Sequence, residues 1–133
     1  MIFNDAAIRN PVAVSLGAVA GVLSRYYLNL WFVERFGVAF PYGTFFINMT
    51  GCFLMGLFFS LATETVITIT PEVRLLIATG FLGSYTTFST YGLDTVSLIK
   101  AVQIVPALIY GVASALGGIA SVKLGMELVR WLK

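Results

Sequence analysis

Histidine is absent from this chain, cysteine occurs once, and only 11% of its 133 residues are charged. The missing histidine excludes an imidazole-based zinc site and a histidine general base. Cys52 alone cannot close an intrachain disulfide, and within an apolar run it reads as a small buried hydrophobe. A net charge of +2 is too small to gather a nucleic acid. The few acids are poorly placed for coupling to protons: Glu34, Glu64 and Glu72 fall in connections, and Asp94 and Glu127 near the ends of apolar spans. A proton-driven exporter works through a carboxylate inside the membrane, so that class lacks its central group. There is also no nucleotide-binding motif and no redox centre.

What the chain has instead is hydrocarbon. It is 59% hydrophobic with a mean hydropathy of +0.94, whereas soluble domains carry about 25% charged residues. A domain this small cannot hide so much apolar surface in one core, so the bilayer is its solvent. Four stretches reach the roughly 20 residues that a crossing needs: about Pro11–Val33, Phe40–Thr63, Val73–Lys100 and Gln103–Val129. The connections, Glu34–Ala39, Glu64–Glu72 and Lys100–Pro106, are short. Residues 1–133 therefore read as a single all-α membrane domain of four transmembrane helices. Arg9, the apolar run from Val12 and Ala18-Val19-Ala20 have the outline of a signal peptide. The hydrophobic pattern continues to Val33, however, and Gly17 with Gly21 forms a GxxxG suited to close helix packing, so a retained first helix is expected.

Four spans put both termini on one side, with Arg9, Arg74, Arg130, Lys133 and a snorkelling Lys123; Arg25, Arg35 and Lys100 fall on the other. That bias is slight under the positive-inside rule. It allows either one orientation or two oppositely inserted copies, an inverted repeat of the kind many transporters carry within one chain.

The third span holds the strongest signal. Thr79–Thr90 reads TGFLGSYTTFST, with Gly80, Gly83, Ser84, Thr86, Thr87, Ser89 and Thr90 where plain hydrocarbon would be expected. Such residues are poor helix formers or bond their own backbone. One reading is a continuous helix whose hydroxyls bond back one turn. The other is a break in mid-membrane, which lipid tolerates only where protein or water covers it and which frees carbonyls for a cation. In the second span, Thr44, Asn48 and Gly51 share one face. Asn48 is either packing glue between helices or an amide that donates to a permeating species. Phe88 and Tyr91, three apart, are either packing or rings whose positive rims face an anion. Conduction favours such weak, multiple sites. Tyr110, Ser114 and Gly118 follow at intervals of four, as a helix interface or as a polar track. Arg25 either snorkels to the interface or stands in a vestibule that attracts anions.

These residues resemble a known family. Pro41-Tyr42-Gly43-Thr44 with Asn48 and Gly51, then Thr79-Gly80-Phe81-Leu82-Gly83 with Thr86-Thr87-Phe88-Ser89-Thr90, are similar to the CrcB/Fluc fluoride channels, and Gly17, Gly21, Arg25, Tyr110 and Ser114 also fit. The resemblance covers nearly the whole chain. It implies a channel, not an enzyme, in the cell inner (plasma) membrane, exporting fluoride passively to relieve its toxicity. It implies an antiparallel, dual-topology homodimer with two pores and a structural sodium ion at the dimer interface. Carbonyls of Gly83 and Thr86 from both subunits would hold that ion at the broken third helix. The fluoride pore would be lined by Asn48, Phe88, Tyr91, Thr44, Thr87, Tyr110 and Ser114, with Arg25 in the vestibule.

Three positions depart from the family pattern. Tyr91 stands where phenylalanine is usual, so a hydroxyl is expected to add a donor and bulk in the pore. Gly118 replaces a serine of the track, and Ser84 replaces a glycine at the break. The physics agrees with the resemblance: fluoride is small and strongly hydrated, so its water must be replaced by close neutral donors. The alternatives are a four-helix drug exporter, which would need a mid-span carboxylate, and a non-transporting scaffold, which would have no use for mid-membrane hydroxyls.

Overall fold

The computed structural model describes residues 5–64 and 68–132. Lys133 and the middle of the Glu64–Glu72 connection lie outside the described residues. All regular structure among the described residues is helical. Helix α1 runs Ala6–Phe36 and α2 runs Tyr42–Glu64. A third helical segment, α3, begins as an α turn at Pro71–Arg74, continues as a π-helix over Leu75–Leu82 and closes with a turn at Gly83–Tyr85. Helix α4 is Phe88–Lys100 and α5 is Ile104–Trp131.

Each boundary has a local cause. The Asp5 carboxylate accepts from the Ala7 N–H at 2.9 Å and caps α1, so the helix starts before the apolar stretch does. Pro11 sits in the second turn of α1, where its missing N–H leaves the Ala7 carbonyl without a helical donor. Gly37, at φ +74°, ends α1 with its N–H on the Val33 carbonyl. Thr70 caps α3, with Pro71 at its first position.

Helices α1, α2 and α5 are each long and apolar enough to cross a bilayer, and the protein is a multi-pass membrane protein. At 1.5 Å per residue the 31 residues of α1 span roughly 46 Å, more than the hydrocarbon core. Segments α3 and α4 are different. Thirteen residues in α4 reach only about 20 Å, short of the ~30 Å core, and α3 is similar.

Packing pairs α1 with α3 and α2 with α5. The Gly17/Gly21 motif presses directly on α3. A Cβ on Gly17 would overlap the Leu76 carbonyl, one on Gly21 the Phe81 carbonyl, and one on Gly80 the Val14 carbonyl. Backbones therefore meet without side chains between them, the geometry expected where lipid removes the hydrophobic drive for helix association. Gly56 and Gly125 do the same between α2 and α5, against the Val122 and Phe53 carbonyls. Ion pairs at one end tie these elements in register: Arg9 to Glu72 at 2.7 Å and Arg130 to Glu64 at 3.0 Å.

The buried apolar core is small: Leu98, Ala107 and Tyr110, flanked by Phe40, Phe45 and Tyr91, form its one sizeable cluster among the described residues. The chain exposes 8550 Å², against roughly 6,800 Å² for a water-soluble monomer of this mass. Leu16, Val19, Leu116 and Ile119 are all more than half exposed. Such faces need an apolar solvent or an apolar partner.

Candidate functional site

The helix break falls at Thr86 and Thr87, inside the hydroxyl-rich stretch. Both residues are extended, with φ/ψ of −78°/158° and −151°/112°. Before the break, the hydroxyls bond back into α3: Ser84 Oγ donates to the Gly80 carbonyl at 2.7 Å, and Thr86 Oγ1 to the Leu82 carbonyl at 3.0 Å. Ser84 Oγ also reaches the Ala18 carbonyl of α1 at 3.0 Å, so Ser84 stitches two helices together. After the break, Thr87 Oγ1 caps α4 by accepting from the Thr90 N–H at 3.2 Å.

Asn48 holds the break open. Its Nδ2 donates to the Thr87 carbonyl at 3.0 Å, and its Oδ1 accepts from the Thr87 N–H at 2.8 Å. In a continuous α-helix that N–H would bond the Gly83 carbonyl. Diverted to Asn48, it leaves the Gly83 oxygen without its helical donor. The next carbonyl to leave the helix direction, that of Thr86, accepts from Arg25 Nη1 at 3.4 Å. Arg25 thus turns inward to the break and does not snorkel to the interface. A carbonyl-bearing helix end and the amide-bearing start of α4 face each other here, so cations are favoured on one side and anions on the other.

Cavities flank this clasp. The larger, about 350 Å³, is lined by five of the predicted pore residues, Asn48, Thr87, Phe88, Tyr91 and Ser114, with Met49, Cys52 and Gly118. Ser114 Oγ is buried and without a hydrogen-bond partner, an unsatisfied hydroxyl at the cavity wall. Asn48 spends one of its two N–H groups on Thr87, which leaves the second. The Phe88 and Tyr91 rings lie 5.3 Å apart at 45°, and Phe88 is 84% exposed at the cavity mouth. On the other side of Thr87 a cavity of about 260 Å³ is lined by Arg25, Asn29, Thr44 and Thr90. A third, of about 160 Å³, is lined by Asn29, Thr44, Thr90 and Asp94 near the Gly37–Tyr42 connection.

Three of the polar groups expected at the pore lie or bond away from Ser114. Thr44 does not join Ser114 but lines the Arg25 cavity. Tyr110 is fully buried, and its hydroxyl donates to Asp94 Oδ2 at 3.2 Å instead of continuing a track toward Ser114; a half-covered carboxylate on α4 captures the nearest donor. The Tyr91 hydroxyl adds no free donor to the cavity, because it donates to the Gly111 carbonyl of α5 at 3.0 Å. Sequence reasoning missed Asn29 altogether. The signal was available: Gly17, Gly21, Arg25 and Asn29 follow at intervals of four on one helix face.

An all-helical membrane fold, with a polar helix break set between cavities that hold Asn48, Ser114 and Arg25, fits the class of small ion-conducting membrane proteins. The family model "CrcB-like protein, Camphor Resistance (CrcB)" matches residues 12–126, and the chain belongs to that family. A protein of Trichormus variabilis named "Fluoride-specific ion channel FluC" is 59% identical over 123 residues, 92% of this chain and 90% of the relative. Proteins of the same name from Synechococcus and Synechocystis are 54% identical over 124 residues and 46% over 127 residues, each covering at least 93% of both chains.

Proposed function

We propose that this protein is a fluoride-selective channel that lets fluoride leave the cell passively, down its electrochemical gradient, and so relieves fluoride toxicity. The relatives are named as ion channels. The observation that carries the reading is the Asn48–Thr87 clasp beside a cavity that also reaches the unpaired Ser114 hydroxyl. Neutral N–H and O–H groups replace the water of a small anion at close range, and weak donors let it leave again.

In this reading α3 and α4 together make the fourth crossing, since neither alone is long enough. The functional unit is an antiparallel, dual-topology homodimer with two pores, and the second copy covers part of the exposed apolar surface. A sodium ion sits at the interface, held by the Gly83 and Thr86 carbonyls of both subunits. The residues suit such an ion. The Gly83 oxygen has lost its helical donor, and among the described residues no cluster of acids, cysteines or histidines competes for a metal. Neutral carbonyls match a monovalent hard cation better than a divalent one. When bound, the ion supplies a fixed positive charge near the anion path. Arg25 shares the Thr86 carbonyl and places a second positive charge on the neighbouring cavity.

The runner-up, a proton-coupled exporter, finds a single candidate group in Asp94, which lines a cavity but receives the Tyr110 hydroxyl. Liposome efflux separates the readings. Purified protein is expected to release fluoride and not chloride without any pH gradient. Strict dependence on a pH gradient, lost in Asp94→Asn, would move the assignment to the exporter.

A further inference from the structure

Asn29 is a polar residue of α1 to which the channel reading gives no task. It lies seven residues before the helix end at Phe36, about 10 Å inside at 1.5 Å per residue. Its carboxamide makes no hydrogen bond to any described residue. Asn29 is exposed in the single chain, so its amide is open to a ligand. Its position is also constrained: it lies against Gly43 of α2, where a Cβ would overlap Oδ1. It lines both smaller cavities, and these share Asn29, Thr44 and Thr90.

The groups meeting there are mostly donors. Asn29 offers two N–H groups. Thr90 Oγ1 accepts from Thr87 Oγ1 at 2.9 Å, which leaves its own proton free. Arg25 brings its guanidinium. The one carboxylate, Asp94, takes the Tyr110 proton. The space is therefore small, rich in donors and positively charged at its inner end.

We propose that Asn29 contacts the permeating anion directly, forming with Thr90 a relay site between the mouth near Gly37–Tyr42 and Arg25. This rests on the fluoride-channel reading. Fluoride entering from the mouth exchanges water for the Asn29 amide first, then meets the Arg25 charge, and only then the Asn48–Thr87 clasp. Asn29 thereby sets how readily dilute fluoride enters.

The test is fluoride efflux from liposomes over a range of fluoride concentrations, using the wild-type chain and three variants. Asn29→Leu keeps the shape and removes both donors. It is expected to slow efflux about tenfold at low fluoride, the loss of one good contact at the barrier, and to raise the half-saturating concentration by a similar factor. Asn29→Ser keeps a donor and is expected to recover most of the rate. Asn29→Asp sets a negative charge in the path and is expected to be slower than leucine. Melting temperatures should match the wild type throughout, since the amide bonds no described residue. A leucine variant that conducts like wild type, or one whose flux falls together with its melting temperature and is not rescued by serine, overturns the role of Asn29 and leaves the channel reading standing. Well-folded wild-type protein that passes no fluoride overturns both.

Discussion

Asn48 and Thr87, 39 positions apart in sequence, exchange two hydrogen bonds of 3.0 and 2.8 Å, so that one side-chain amide replaces a missing turn of backbone. The orientation of the amide is fixed by this pairing, because the Thr87 N–H requires an oxygen and the Thr87 carbonyl requires an N–H. Asn48→Asp can still accept but can no longer donate, and it sets a carboxylate against the Thr87 carbonyl. Fluoride efflux is expected to fall below detection. The fold should lose about 1–3 kcal/mol, the usual cost of a buried polar group left unpaired. Efflux and melting temperature measured on the same preparation check both parts. A conducting Asn48→Asp protein would remove Asn48 from the path.

Ser114 gives the opposite pattern. Its hydroxyl is buried, lines the larger cavity and bonds no described residue. Ser114→Ala removes an unsatisfied group, so stability should hold or rise by up to ~1 kcal/mol. If the hydroxyl serves the anion, efflux should drop by about tenfold. A variant that loses stability and keeps its rate would assign the hydroxyl to the fold instead.

The sequence made the helices and the break legible for different reasons. Hydropathy located α1, α2 and α5 to within a few residues at most boundaries, because a bilayer enforces apolar length. The run from Thr79 to Thr90 marked the break, because its glycines and hydroxyls weaken a helix locally. What stayed hidden depended on partners distant in the chain. Arg25 could equally have snorkelled, and only the packing of α1 on α3 turns it to Thr86. Tyr110 looked continuous with Ser114 by spacing, but Asp94 draws its hydroxyl elsewhere. The π-helix over Leu75–Leu82 has no sequence signature beyond the glycines beside it. Asn29 was readable as the fourth member of the Gly17–Gly21–Arg25 stripe, yet it took the two cavities to give that position a meaning.

Tyr91 sharpens the distinction between ring and hydroxyl. Its phenol is committed to the Gly111 carbonyl, while its ring stays beside Phe88. Tyr91→Phe is expected to cost about 1 kcal/mol of stability and to leave selectivity for fluoride over chloride unchanged, with efflux within about threefold of wild type. Tyr91→Leu removes the aromatic rim and should slow efflux far more. Equal rates in the two variants would show that the ring is packing only.

The close contact of α1 with α3 sets a harder limit. A Cβ on Gly17 would overlap the Leu76 carbonyl and come within 2.8 Å of the Phe81 N. Both are backbone atoms and cannot swing aside, so Gly17→Ala must push two helices apart. The expected loss is ~3 kcal/mol, the upper part of the range for overpacking, and the Arg25–Thr86 contact should open with it. Size-exclusion profiles and melting curves in detergent would record the loss. Wild-type behaviour in Gly17→Ala would mean that α1 and α3 pack more loosely than their contact implies.

Sodium provides the last and most independent check, because it needs no substitution. An ion held by the Gly83 and Thr86 carbonyls binds only the folded dimer, so its stabilisation grows with the logarithm of its concentration. Sodium at 100 times its dissociation constant would add about 2.7 kcal/mol. Replacing sodium with N-methylglucamine at constant ionic strength should lower the melting temperature and favour monomer, and returning sodium should reverse both. The clasp adds a second arm: Asn48→Leu releases the Thr87 N–H to bond the Gly83 carbonyl again, so its melting temperature should respond little to sodium. A wild-type protein equally indifferent to the cation would leave the freed carbonyls to water or to Arg25 alone.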